Sequence, residues 1–364
     1  MLSAVISVGA IGFFVVRHWV TVEFPPLDIS SSESGQWYSV HPDGALTGDG
    51  KPYHANVRVG SENKVVVIFS GGGVSVDDYT EVRPTTSVLS EGFYNVLDGF
   101  DQLAKTGVAE DTDGNPFRDW TVVQMPYSTG DFHAGAGANQ VAREDGESMT
   151  VHHTGYTNLQ LVLESVKQIT GTPTEILVTG GSAGGFGAAI NTDQIVEFFP
   201  DTTNITTMVD SSLLLYDWNS ASRNVWQSPE QISEILTTDN FTLDALTVLK
   251  EQHPSVKILF ASSTRDESLA RMQSYLNGGE FAVTAQDGEQ YQADLTQMVD
   301  QLQEKVPGIG LYIFQGKTDK DTGLTQHTIG ENTQDKLVAN TTPLEWLASA
   351  VSGEVTSYGV DLLR

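Results

Sequence analysis

The chain has 364 residues, enough for one large domain or two ordinary ones, with a core that buries about three quarters of the unfolded surface. Its 19 Lys and Arg against 47 Asp and Glu leave a formal charge of −28, which repels phosphate backbones and excludes nucleic acid as a partner. With no cysteine, disulfides, thiolate metal sites and a cysteine nucleophile are excluded.

Only 18% of residues are charged, and the shortfall lies in Lys and Arg. Such a surface keeps a protein soluble in concentrated salt, where self-repulsion is screened, although ordinary acidic drift gives the same composition. No two of the eight histidines are spaced as zinc ligands are, and neither metal nor cofactor is expected.

The first feature along the chain is Leu2–Val16, an uncharged apolar run closed by Arg17 and His18. It is long for a signal-peptide core and short for the ~20 residues of a full membrane span. Residues 1–25 therefore read as an export signal or an uncleaved anchor, with membrane attachment through residues 1–20. That reading places the protein outside the cell, in the periplasm or on a membrane; a buried first strand or helix is the alternative. After a short Ser30–Gly35 linker, residues 36–364 read as one catalytic domain.

Short apolar runs then alternate with helical and loop stretches. The strand candidates are Lys64–Phe69, Thr121–Gln124, Glu175–Thr179, Thr206–Val209, Val256–Ala261 and Gly310–Phe314. Each is nearly continuous in apolar character without strict alternation, the pattern of strands buried on both faces. Helices fit between them at Asn158–Ile169 and Gly184–Phe199, stopped by Gly171 and Pro200. The alternation predicts one mainly parallel sheet covered on both faces. Residues 219–248, rich in Asn, Ser and Thr, read as a cap or lid insertion.

The chemistry is carried by turns at the ends of these strands. After Glu175–Thr179 comes Gly180-Gly181-Ser182-Ala183-Gly184-Gly185, a G-x-S-x-G turn leading into an Ala-rich helix. A serine on such a strand-to-helix turn is lifted above the sheet edge, and glycines two before and two after avoid Cβ clashes. Ser182 is thus the candidate nucleophile, the alternative being a glycine-rich packing turn. Ser70-Gly71-Gly72-Gly73-Val74 follows Lys64–Phe69 and offers amides for an oxyanion hole: Gly72, Gly73 or Val74, together with Ala183. A phosphate-cradling turn would need a G-K-[ST] sequence, which is absent here.

The base and its acid should follow the nucleophile in chain order, each beyond a strand end. His327 is the only histidine after His253, and Asp266 follows Val256–Ala261. His327 would take the serine proton and Asp266 would orient the imidazole; Asp210, after Thr206–Val209, is the rival acid. Tyr127, Asp131 and His133 sit in Pro126–Gly135, a loop at the sheet edge where α/β sites gather, and are candidate substrate contacts. The adjacent His152 and His153, opening the next helix, point different ways and make a poor metal site.

In their order, SGGGV, PYSTGDFHAG, HHTGYTN, VTGGSAGGFGAAIN, TRDES and a late QHT resemble the pectin acetylesterase family over roughly Lys64 to His327. Where relatives continue the glycine turn with an aromatic residue or Cys, and follow the tyrosine of the second block with Cys, this chain has Val74, Ser75 and Ser128. The resemblance favours a distant bacterial or archaeal member. It implies an α/β-hydrolase-like fold and serine carboxylester hydrolysis, with Ser182, Asp266 and His327 catalytic and oxyanion donors around Gly73, Val74 and Ala183.

The expected activity is removal of short acyl groups, foremost acetyl, from a hydroxylated small molecule or polysaccharide. A deacylase for longer lipid or protein acyl chains, or a catalytically silent protein that binds acylated ligands, are the alternatives.

Overall fold

The structure, a computed structural model, describes residues 24–364 except 83, 86–90, 95–96, 98–104, 144–145, 330–332, 334 and 336. The apolar run at the N-terminus, with the signal or anchor expectation attached to it, lies outside the described residues. Among the described residues no helix is long and apolar enough to cross a membrane.

Ten strands carry the argument: β1 Trp37–Val40, β2 Ala55–Arg58, β3 Lys64–Phe69, β4 Thr121–Met125, β5 Gly137–Ala142, β6 Ser148–His153, β7 Glu175–Gly181, β8 Asn204–Asp210, β9 Lys257–Ser263 and β10 Gly310–Phe314. Eight form one sheet in the order β1-β2-β4-β3-β7-β8-β9-β10, and β5 and β6 make a separate hairpin. From β4 to β10 every pairing in the sheet is parallel. Only β2, next to the edge strand β1, runs antiparallel to its neighbours β1 and β4.

The six β-branched runs build the parallel part of the sheet, and both of its faces are covered. Val65, Val67 and Phe69 of β3 enter the larger core together with residues from the helices α1 Gly155–Thr170, α2 Ala183–Phe198, α3 Phe241–Gln252, α4 Glu267–Leu276 and α5 Ala285–Lys305. Val66, between them, faces the second core with Trp346 and Leu347 of α6 Pro343–Ser352. The same alternation recurs in β7, where Ile176 and Val178 face one core and Leu177 the other. With all positions apolar, the period of two disappears from the sequence.

The strands not foreseen in the sequence are β1, β2 and the hairpin. In β2, Asn56 and Arg58 break the apolar pattern, yet both are buried. Asn56 donates to Gln124 of β4, and the Arg58 guanidinium donates to the Ala109 and Phe117 carbonyls. Asn56 Nδ2 and the two terminal guanidinium nitrogens of Arg58 thus find partners distant in the chain, which local patterning does not reveal. His152 and His153, expected to open a helix, instead close β6, and α1 starts at Gly155.

Residues 219–248 are built into the core. Trp226 and Phe241 are fully buried, and with Trp218 they surround Phe132 and Phe186, whose rings stack with centroids 4.1 Å apart. Trp226 also donates its indole N–H to the Ser75 carbonyl, beside the glycine turn. Trp226→Ala is therefore expected to cost about 3–5 kcal/mol of stability, read as a lowered urea midpoint with an unchanged slope. A midpoint equal to wild type would show that this segment does not hold the floor of the site. Ser75 and Ser128 are also buried, and their hydroxyls find no partner among the described residues.

Candidate active site

The C-terminal ends of the parallel strands bring the predicted turns together. Ser182 follows β7 and caps α2 with φ +57° and ψ −129°, a conformation that costs a non-glycine residue about 1–3 kcal/mol and persists only where neighbours enforce it. The enforcement is visible. Ser182 N–H donates to the Asp210 carbonyl at 2.9 Å. A Cβ on Gly180 would lie 2.2 Å from the Gly184 carbonyl oxygen, and one on Gly184 would lie 2.0 Å from that of Phe69. These are the two glycines of G-x-S-x-G, so the motif is the record of two backbone collisions avoided.

The glycine turn after β3 lies directly against the serine: a Cβ on Gly71 would stand 3.0 Å from Ser182 Cβ and 3.3 Å from the Ala183 nitrogen. The turn is pinned by an antiparallel bridge between Gly73 and Phe93, in which Tyr94 N–H donates to the Gly72 carbonyl. Val74 is fully buried and anchors the far end of the turn. Among the described residues, the amides of Gly72, Gly73 and Ala183 have no protein acceptor, and all three residues line the cavity that contains Ser182.

Asp266 caps α4, its Oδ1 accepting from the Ser268 and Leu269 amides at 3.0 Å each. The same carboxylate accepts from His327 Nδ1, at 2.9 Å for Oδ1 and 2.8 Å for Oδ2. Main-chain hydrogen bonds join the loops that carry them, among them Thr325 N–H to the Arg265 carbonyl and Glu267 N–H to the Thr325 carbonyl. Because Asp266 accepts from Nδ1, the neutral ring carries its proton there and leaves the Nε2 lone pair free. Burial disfavours the charged imidazolium, but Asp266, with help from Asp210, outweighs it and raises the His327 pKa above its ordinary value. His327 lines the cavity with Ser182. No hydrogen bond joins their side chains in this structure; such contacts are often loose until substrate is bound.

The cavity measures about 670 Å³, within the ~300–1,000 Å³ of pockets that enclose drug-sized ligands. Its wall is largely apolar, including Phe132, Phe186, Leu214, Leu269 and Met272.

Tyr127, Asp131 and His133, expected at the substrate, are not on this wall. They lie behind it, at most 2% exposed. Asp131 accepts from Thr129 Oγ1 and from the amides of His133, Gly135 and Gly155. The Tyr127 hydroxyl accepts from Phe132 N–H, and burial, seconded by the Asp131 charge, raises its pKa well above the ordinary value. His133 Nε2 donates to the Ser70 carbonyl, since a carbonyl can only accept; burial lowers its pKa and favours the neutral ring. Phe132 and His133 have φ of +52° and +59°. The block thus holds a strained loop beneath the glycine turn, and a motif read only as polar residues at a sheet edge does not distinguish that support from ligand contact. Asp210, the rival acid, contacts the amide of Ile329 rather than His327.

The fold and this site define an α/β hydrolase of the esterase and deacylase class, acting on acyl groups. A pectinacetylesterase family model matches residues 39–267, well over half of the chain, and the chain belongs to that family. The matched stretch includes Ser182 and Asp266 and stops before His327. A crystal structure of the Wnt deacylase Notum from Drosophila is similar at a TM-score of 0.58 and 16% identity, covering 88% of this chain and 94% of that one; at that identity the likeness speaks for the fold.

Proposed function

We propose that the protein hydrolyses carboxylic esters through an acyl-enzyme, with Ser182 as nucleophile, His327 as general base and acid, and Asp266 as the carboxylate that orients the imidazole. The observation that carries this reading is that His327, hydrogen-bonded to the buried Asp266, lines the same cavity as a serine held at φ +57°. Ser182 Oγ attacks the ester carbonyl carbon while His327 Nε2 takes its proton. The oxyanion is met by amides from the set Gly72, Gly73, Val74 and Ala183. As the bond from carbonyl carbon to alkoxy oxygen breaks, the imidazolium returns the proton to the leaving alcohol. Water then attacks the acyl-serine by the same route in reverse, releasing the carboxylic acid.

The alcohol part is a hydroxylated compound such as a polysaccharide, and the acyl part is short, acetyl foremost, in keeping with the family. The size and apolar wall of the cavity favour a second reading, a longer acyl chain. A series of p-nitrophenyl esters from acetate to palmitate, with fluorophosphonate labelling mapped to Ser182, separates these readings. A kcat/KM maximum at acetate is expected for the short-acyl enzyme, and one at octanoate or beyond for a lipid or protein deacylase. No turnover and no labelling by folded protein would leave a binding protein for acylated ligands.

A further inference from the structure

Asp210 is a buried carboxyl at the site that the proposed chemistry leaves without a role. It ends β8 opposite Gly181, and its side chain is 4% exposed. Its carbonyl accepts the Ser182 N–H at 2.9 Å, while its Oδ2 accepts the Ile329 N–H at 2.8 Å. Ser211 donates its hydroxyl to Oδ1 at 3.1 Å. One residue therefore holds the nucleophile turn by its main chain and the histidine loop by its carboxyl. Between His327 and Ile329, Thr328 has φ +59°, a conformation that needs restraint on both sides. Upstream, Ser263 Oγ donates to the Gln326 carbonyl at 2.6 Å; downstream, the bond to Asp210 closes the loop.

Resting on the hydrolytic reading above, we propose that Asp210 is a positioning residue, which seats His327 over the Ser182 turn and tunes the proton affinity of its ring through its own charge. The groups facing it support an electrostatic link. His327 comes from the tethered loop, Asp266 from the head of α4 and Tyr291 from α5. The flanking strands and α2 present Gly181, Ala261 and Gly185, which carry no charge. Burial pushes the Asp210 pKa up to about 7, against the Ile329 amide, the His327 charge and the Ser211 hydroxyl; Asp266 adds to the rise. Asp210 in turn raises that of His327, so the titrations of the two groups are linked.

The sign follows. As pH rises and Asp210 gains its charge, the imidazolium is held more tightly, and the neutral base appears at higher pH than it would beside an uncharged group. In Asp210→Asn the amide oxygen still accepts from Ile329 while the charge is gone. The acidic limb of the kcat/KM profile is expected to move to lower pH, and the His327 ring titration, followed by NMR, to move with it. In Asp210→Leu the tether is lost as well. There kcat is expected to fall on the order of 10- to 100-fold at every pH, as a misplaced catalytic group does, with Asn recovering most of that loss. An Asn profile and ring titration superimposable on wild type would overturn the electrostatic role. A folded Leu variant with wild-type kcat would overturn the positioning role. The NMR titration reads the coupling whether or not an ester is turned over, and wild-type activity beside a Ser182→Ala control tests the hydrolytic reading separately.

Discussion

Ser182→Ala is expected to lower kcat/KM toward the best p-nitrophenyl ester by roughly 10,000-fold or more, with little change in thermal stability. The serine makes its structural contacts through its main chain: its N–H to Asp210, and its carbonyl to the Gly185 amide and the Ser212 hydroxyl. Alanine keeps all of these. It also meets the same strain at φ +57° that serine does, so the fold has no reason to respond. What disappears is the one oxygen that can form the acyl-enzyme. The residual rate would come from binding and the oxyanion amides alone. A variant retaining a tenth of the wild-type activity would remove Ser182 from the mechanism.

The second large effect concerns the acid. Asp266→Asn is expected to lower kcat by about 10,000-fold while shifting the melting temperature little, because Asn caps a helix about as well as Asp. Its amide oxygen can still accept from Ser268 and Leu269. The amide nitrogen, however, donates where the carboxylate accepted, so the His327 ring places its proton on Nε2 and its lone pair on Nδ1. The base then faces the cavity with no capacity to take the serine proton. Asp266→Ala should lose activity comparably and give up about 1 kcal/mol more in stability, with the cap. Measuring kcat and melting temperature on both variants separates the two duties of one carboxyl. Near-normal activity in Asp266→Asn would return the role of acid to Asp210.

Several features of the site are legible in the chain because they are local. The six parallel strands announce themselves as β-branched runs, since burial on both faces demands apolar residues at every position. Gly180 and Gly184 announce the nucleophile turn, since a Cβ at either would collide with backbone a few residues or one strand away. Ser182 and the late His327 follow from these by chain order.

Other features depend on what lies across the fold. Asp210 and Asp266 both follow strands, and nothing along the chain separates them. The fold does: the Asp266 carboxylate accepts from the imidazole of His327, whereas Asp210 takes the amide of Ile329. Tyr127, Asp131 and His133 carry the residue types of a ligand site. Once folded, their polar groups meet main-chain amides and a carbonyl beneath the glycine turn. Residues 219–248 have the composition of a mobile cap, but Trp226 and Phe241 close around Phe132 and Phe186 and make the segment part of the core. The edge strand β2 escaped notice because Asn56 and Arg58 interrupt its apolar pattern. A buried polar group is stabilised by the hydrogen bonds it makes, and the partners of Asn56 and Arg58 lie far along the chain. By itself, then, the sequence determined the six parallel strands and the strained glycine turn around Ser182, which rest on steric and burial rules acting over a few residues. Only the tertiary structure decided which carboxylate accepts from His327 and which polar residues face the cavity, because hydrogen-bond partners are assigned by folding across the whole chain.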